Sequence, residues 1–306
     1  MIKVLTEGNK QKGFGHIYRC MTIVNEINAS IYIDSDEDLT KIFEGSNVVS
    51  WQNEDWVLSN IESTDIIIVD SYHVSIDVLN LINKLSNKCI VIDDLFRFDY
   101  RNFIILNPNN FGDGVNYHSS NTILGGSKYM LTRKEFNGSR RNFINKDVTN
   151  IFVMIGATDI LNVGEKLYEF FVRDLDFKNI TINMVSNSNL KSTENINVVS
   201  GLDGKAICDL MLASDFSITA GGQTLNELIK TTTPFICVEV ASNQRSNIDG
   251  ILSKDYGMEF TSENLEVIKS MFDYNIRQVF YNNMKKVHYE YNGAYYLKEF
   301  LEDCNE

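Results

Sequence analysis

Apolar positions along this chain fall into two alternating patterns. One consists of short, unbroken β-branched runs: IKVL (2–5), SIYID (30–34), IIIVD (66–70), CIVIDD (89–94) and FIIL (103–106). A second series of the same kind follows: NIFVMI (150–155), ITINMV (180–185), INVVS (196–200), DFSIT (215–219) and PFICVEV (234–240). A strand that is apolar on both sides is covered on both faces, which is the mark of a parallel sheet. Between these runs the apolar residues recur at helical spacing, over 16–29, 75–86, 160–173, 204–213, 223–231 and 244–254. Strands alternating with helices predict a doubly wound α/β fold. The segment 261–304 reads as helix, through IKSMF, VFYNNM and YYLKEF, and the aromatic density of 288–300 predicts packing against a body.

The polar, basic stretch NGSRRNFINKDVTN (137–150) separates the two strand series. It predicts an N-terminal domain over 1–140, a C-terminal domain over 148–285 and a terminal helix over 286–306. A chain of 306 residues suits two such domains, because single cores stop growing near about 250–300 residues. A net charge of −13 argues against a nucleic-acid or membrane-surface partner, whose contacts need a basic face. An anionic ligand must then be held by local donors. The five cysteines are scattered, odd in number and without CxxC spacing, a pattern of buried thiols in a reducing compartment. The start MIKVLTEG lacks the apolar core of a secretion signal, and no apolar run approaches membrane-spanning length. The expected location is the cytoplasm.

The first candidate chemistry lies in GNKQKGFGHIYRC (8–20), directly after the first strand. Gly8-x4-Gly13 opens like a nucleotide P-loop, but Phe14 and Gly15 stand where Lys and Ser or Thr would reach phosphate and magnesium. Gly13-Phe14-Gly15 opens like a dinucleotide fingerprint, but Tyr18 replaces the third glycine. What remains is a loop that delivers His16 to the first turn of a helix. The positive end of the dipole there disfavours imidazolium and so suits a general base. A histidine that only caps the helix or packs in an interdomain cleft fits the same pattern. His73 follows a strand end, while His118 and His288 read as structural.

Ligands of open α/β sheets bind beyond the carboxyl ends of the strands. That places Asp70, Ser71, Tyr72, His73, Asp93 and Asp94 in the first half, and Gly156, Thr158 and Asp159 in the second. Gly221-Gly222 directly precede a helix, so backbone N–H groups and the dipole can meet a phosphate. Glu227, one turn into that helix, is placed to bond ribose hydroxyls; a glycine turn with a solvated glutamate is the plainer alternative. Asn243 and Gln244 offer amide donors after the next strand. Asp34-Ser35-Asp36 has the spacing of a metal-binding DxD, but it lies in the acidic run DSDED and reads as solvated surface. No metal and no cofactor are expected.

The segments GFGHIYR, IIIVDSYHVS, GSKYMLTRKEF (126–136), MIGATD, AGGQTLNE and ASNQ follow one another in a familiar order. Over residues 1 to 260 the chain resembles the UDP-2,4-diacetamido-2,4,6-trideoxy-β-L-altropyranose hydrolases of pseudaminic acid synthesis and their spore-coat polysaccharide relatives. The later glycine segments are shared more broadly with GT-B glycosyltransferases. The resemblance implies a GT-B fold, two Rossmann-like domains facing a cleft, with the nucleotide held mainly by the C-terminal one. It implies that water attacks the anomeric carbon of a UDP-sugar and that UDP leaves. It carries catalytic roles onto His16 and Tyr72. It carries substrate contacts onto Gly13, Gly15, Arg19, Gly156, Thr158, Asp159, Gly221, Gly222, Gln223, Thr224, Glu227, Asn243 and Gln244. The family's second glycine is Ala157 here, and Ser71 and His73 flank Tyr72 where relatives carry other residues. Two other functions suit the same fold: a glycosyltransferase using a UDP-sugar, and a non-catalytic nucleotide-sugar-binding protein. The expected partners are a UDP-sugar and water, with no nucleic acid and no membrane.

Overall fold

The computed structural model describes residues 1–9, 13–156, 159, 161–287 and 289–303. The chain divides into two compact units, one formed by Met1–Thr132 with Tyr291–Glu306, the other by Arg133–Glu290. Each is built on an all-parallel sheet, as the unbroken apolar runs require.

In the first unit the strands are β1 (Ile2–Glu7), β2 (Ser30–Asp34), β3 (Asn47–Val48), β4 (Ile66–Asp70), β5 (Lys88–Ile92), β6 (Ile104–Asn107) and β7 (Thr122–Gly125), in the order β3-β2-β1-β4-β5-β6-β7. The helices α1 (Gly15–Ile27), α2 (Glu54–Asn60) and α3 (Ile76–Leu85) connect them. All five residues of β4 are buried, because side chains of alternate parity enter two separate cores. Ile66 and Ile68 join Ile17, Cys20 and Ile23 of α1. Ile67 and Val69 join Val78, Leu79 and Ile82 of α3. The connections turn in opposite directions on either side of β1 and β4, so the sheet has its topological switch point between those two strands. That is where an open sheet leaves a crevice at its carboxyl edge.

The second unit repeats the plan. Its strands are β8 (Asn150–Met154), β9 (Thr181–Val185), β10 (Ile196–Val199), β11 (Phe216–Ala220), β12 (Phe235–Val238) and β13 (Gly257–Glu259), in the order β10-β9-β8-β11-β12-β13. Its helices are α4 (Val163–Arg173), α5 (Gly204–Ala213), α6 (Thr224–Thr231), α7 (Arg245–Ser253) and α8 (Tyr274–Lys285). The switch point here lies between β8 and β11. The two Rossmann-like sheets expected from the strand series are therefore both present.

The expected run of helix over 261–304 is interrupted. A 3-10 stretch occupies Leu265–Phe272, α8 follows an Asp273 cap, and the chain then turns before the last helix, α9 (Gly293–Asp303). α9 lies in the first unit, where Ala294, Leu297 and Leu301 are buried in the core that includes Ile17, Cys20 and Ile23. Gly293 makes that docking possible. It donates its N–H to the Met130 carbonyl at 2.7 Å, and a Cβ at this position would lie 2.2 Å from the Tyr129 carbonyl oxygen. Among the described residues, no helix is long and apolar enough to cross a membrane.

Candidate functional site

The switch point of the first unit carries a dense set of ionisable groups. α1 begins one residue before His16 and has no side-chain cap at its N-terminus. His16, on the second residue of the helix, faces the end of β4, where Asp70 is wholly buried. Nδ1 of His16 lies 2.7 Å from Asp70 Oδ1. One helical turn on, Arg19 reaches the same carboxylate through Nε at 2.5 Å and Nη2 at 2.5 Å, and reaches Asp94, beyond the end of β5, through Nη1 at 2.6 Å. Arg19 was expected to contact substrate; here its guanidinium is occupied by two carboxylates and approaches His16 Nδ1 at 3.2 Å.

These contacts decide the histidine's tautomer. Nδ1 has a carboxylate oxygen at 2.7 Å and a guanidinium nitrogen at 3.2 Å. The shorter, charge-assisted contact requires Nδ1–H as donor, which leaves the Nε2 lone pair as the proton acceptor. Burial works against the charge of Asp70, but Arg19 and His16 outweigh it and hold the carboxyl well below the usual carboxylate range. Arg19 in turn remains a cation despite its burial, because Asp70 and Asp94 face it.

Tyr72 completes the cluster. Its ring stands edge-on to the His16 ring, with centroids 4.2 Å apart and planes at 89°. Burial first, and then the charge of Asp94, push its hydroxyl far above an ordinary phenol, so it stays protonated and donates to the Asp94 carboxylate. The fold thus brings His16 and Tyr72, 56 positions apart in sequence, into contact. Gly13 takes a φ of +82° and pairs with Asn9 across the loop, and Gly15 opens the helix.

Glu7 gave no signal in the sequence. It ends β1 with its carboxylate buried and accepts from the Ser71 hydroxyl, from the backbone N–H of Tyr72 and from His73 Nδ1. A polar residue closing an apolar strand at a switch point is the one feature that could have marked it.

In the second unit the loops after β8 and β11 flank the other switch point. Gly156 has a φ of +110° and needs to be glycine. Asp159 accepts from the N–H groups of Val163 at 2.8 Å and Gly164 at 2.6 Å, so both oxygens cap α4. Thr158 lies outside the described residues. Gly221 packs where a Cβ would come within 2.8 Å of Ile248 on α7, and its N–H donates to Val238 O and to Gln244 Oε1, each at 3.2 Å. Gln244, expected as a ligand donor, uses its amide oxygen to tie the loop after β11 to the loop after β12, taking the Val240 N–H as well at 3.1 Å. A Cβ at Gly222 would meet Gln244 Nε2 at 4.0 Å, an ordinary contact; Gln223 caps α6, Thr224 begins it, and Asn243 lies in the short 3-10 turn before α7.

Glu227 is 3% exposed and grips Arg133 through both oxygens, at 2.7 and 2.8 Å. Burial raises its pKa and the guanidinium opposes that shift. Arg133 is the second residue that sequence reading missed, since its partner is 94 positions away. Among the described residues, no group of three or more His, Cys, Asp or Glu side chains is arranged to hold a metal ion.

No family model matches the chain. It is 27% identical over 300 residues to an uncharacterised protein of Methanocaldococcus jannaschii, covering 83% of this chain and 58% of that protein. It is 25% identical over 255 residues to a Helicobacter pylori protein named pseudaminic acid cytidylyltransferase and UDP-2,4-diacetamido-2,4,6-trideoxy-β-L-altropyranose hydrolase, covering 79% of this chain and 45% of that protein. The chain thus spans about half the length of the curated relatives it matches. In structure it is similar to the calicheamicin glycosyltransferase CalG4, with a TM-score of 0.66, 10% identity, and coverage of 98% of this chain and 97% of the other. At that identity the likeness is one of fold, and the fold is GT-B.

Proposed function

We propose that this chain is a nucleotide-sugar hydrolase that releases UDP from a UDP-activated 2,4-diacetamido-trideoxy sugar, in the synthesis of a nonulosonic acid or a surface polysaccharide. The observation that carries this reading is the Asp70–His16 pair with Tyr72 edge-on to the imidazole. With Nδ1–H committed to Asp70, His16 Nε2 takes a proton from water. The hydroxide oxygen bonds to the anomeric carbon, the bond from that carbon to the diphosphate oxygen breaks, and UDP departs with the electron pair. Asp70 stabilises the imidazolium so formed, as the carboxylate does in other His–Asp pairs. Tyr72, held protonated with its hydroxyl hydrogen-bonded to Asp94, offers its oxygen as an acceptor that positions water or a sugar hydroxyl. A positioned general base contributes about 10²–10⁴-fold.

The nucleotide is assigned to the second unit, to Gly156, Gly222, Gln223, Thr224, Glu227 and Asn243 around its switch point, with Asp159, Gly221 and Gln244 shaping the loops and Thr158 carried over from the family resemblance. Gly13 and Gly15 give the His16 loop its path, and Arg19 holds Asp70 in place. The hydrolase name of the Helicobacter pylori relative supports the choice of reaction. A second reading, transfer of the sugar to an acceptor other than water, is favoured by the likeness to CalG4.

The test is UDP release from a panel of UDP-amino sugars without acceptor, by the wild type and by His16→Ala. The expected result is release by the wild type and loss of release, with nucleotide binding kept, in the variant. Tight UDP binding without release from any sugar would move the assignment to the transferase.

A further inference from the structure

The Asp70–His16 pair has a counterpart on the opposite side of Tyr72. Glu7 is 1% exposed, and one of its oxygens, Oε1, is the meeting point of four donors. These are the Ser71 hydroxyl at 2.9 Å, the Tyr72 N–H at 2.7 Å, the His73 N–H at 3.2 Å and His73 Nδ1 at 2.8 Å. The register explains why. Thr6 pairs with Asp70 across β1 and β4, so the next residue of β1 stands level with the turn that leaves β4. Side chains alternate across the sheet: Asp70 points toward α1 and His16, and Glu7 toward the other face, which it shares with the packing of Leu5. The Ser71 hydroxyl tightens the turn further by accepting from the N–H groups of His73 and Val74, each at 3.0 Å. A buried carboxylate is costly unless its lone pairs are filled, so this arrangement has a strong preference for one turn geometry.

We propose that Glu7 is a positioning residue, which fixes the 71–73 turn so that the Tyr72 ring sits against His16. The proposal rests on the roles given to His16 and Tyr72 above, but the placement itself can be read without turnover. Its defining feature is reach. The four bonds named above converge on Oε1, and Gln52 Nε2 approaches the other oxygen at 3.3 Å. Glu7→Gln keeps an oxygen at that point and discards the charge. Glu7→Asp keeps the charge and withdraws the oxygen by one methylene. Positioning therefore makes Asp the damaging substitution and Gln the tolerated one.

The experiment follows the His16 ring protons of the full chain by NMR, with Tyr72→Leu marking their position when the tyrosine ring is gone, together with kcat and KM for UDP release. Glu7→Asp is expected to move the His16 resonances toward the Tyr72→Leu position and to lower kcat by about 100-fold with KM little changed, the cost of a misplaced group near the chemistry. Glu7→Gln is expected to keep both near wild type. Resonances unmoved in Glu7→Asp, or Glu7→Gln as damaging as Glu7→Asp, would overturn the proposal. If the wild type releases no UDP, the hydrolase reading falls, and the NMR comparison still decides the placement.

Discussion

Asp70 concentrates the chemistry of the first unit in one buried carboxylate, shared by His16, Arg19 and the Cys20 thiol. Replacing it with Asn leaves buried Arg19 with Asp94 as its remaining carboxylate partner and removes the anion that stabilises imidazolium. We expect Asp70→Asn to lower kcat by about 10³–10⁴-fold, and to destabilise the fold by about 3–5 kcal/mol, the usual cost of breaking a buried pair. The second effect depends on pH. Because the folded-state pKa of Asp70 is depressed, its stabilisation is fully present above the unfolded value of about 3.9 and is lost as the pH falls through the lower folded value. Urea midpoints of wild type and Asp70→Asn are therefore expected to lie well apart at pH 6 and to converge below about pH 4. Part of this site was legible in the sequence, since His16, Tyr72 and Asp70 each occupy a strand end or helix start. Glu7 and Arg133 were not, because what identifies them is a partner 65 or 94 positions away.

Elements were legible where they were long and buried on both faces, as IIIVD was for β4. The elements that escaped are short: β3 has two residues, β13 three, β7 four and α2 seven. Their periodicity is too brief to stand out, and they are held by neighbours that they meet only in the fold. The C-terminal segment misled for another reason. Apolar spacing continues through it, but Asp273 accepts the Asn275 N–H to start a new helix, and Asn292 accepts those of Ala294 and Tyr295 to start another. Helix α9 offers a direct test of its docking. Gly293→Ala would drive a methyl group into the Tyr129 carbonyl, so backbone must move. The expected loss is about 3 kcal/mol, the upper end for overpacking, seen as a lower thermal midpoint and faster proteolysis of 293–303. An unchanged midpoint would mean that α9 docks by some other path.

Across the whole chain, two units share a six-strand order, to which the first adds β7, and the first unit joins residues 1–132 to residues from 291 onward. Ending the chain at residue 290 removes Ala294, Leu297 and Leu301 from the first core. The two leucines alone account for about 3–6 kcal/mol. Two calorimetric transitions are expected from the full chain, and truncation should lower the one belonging to the first unit while leaving the other in place; equal loss from both would contradict the division. The same thread sets a timetable during synthesis. The apolar face of α1 precedes residues 133 to 290 in the chain, and the helix that covers it is translated only after them. At about 5–20 residues per second that is a delay on the order of 10–30 s. Throughout it the second sheet is free to form on the ribosome, while the unit that carries His16 waits with an open flank for α9 to arrive.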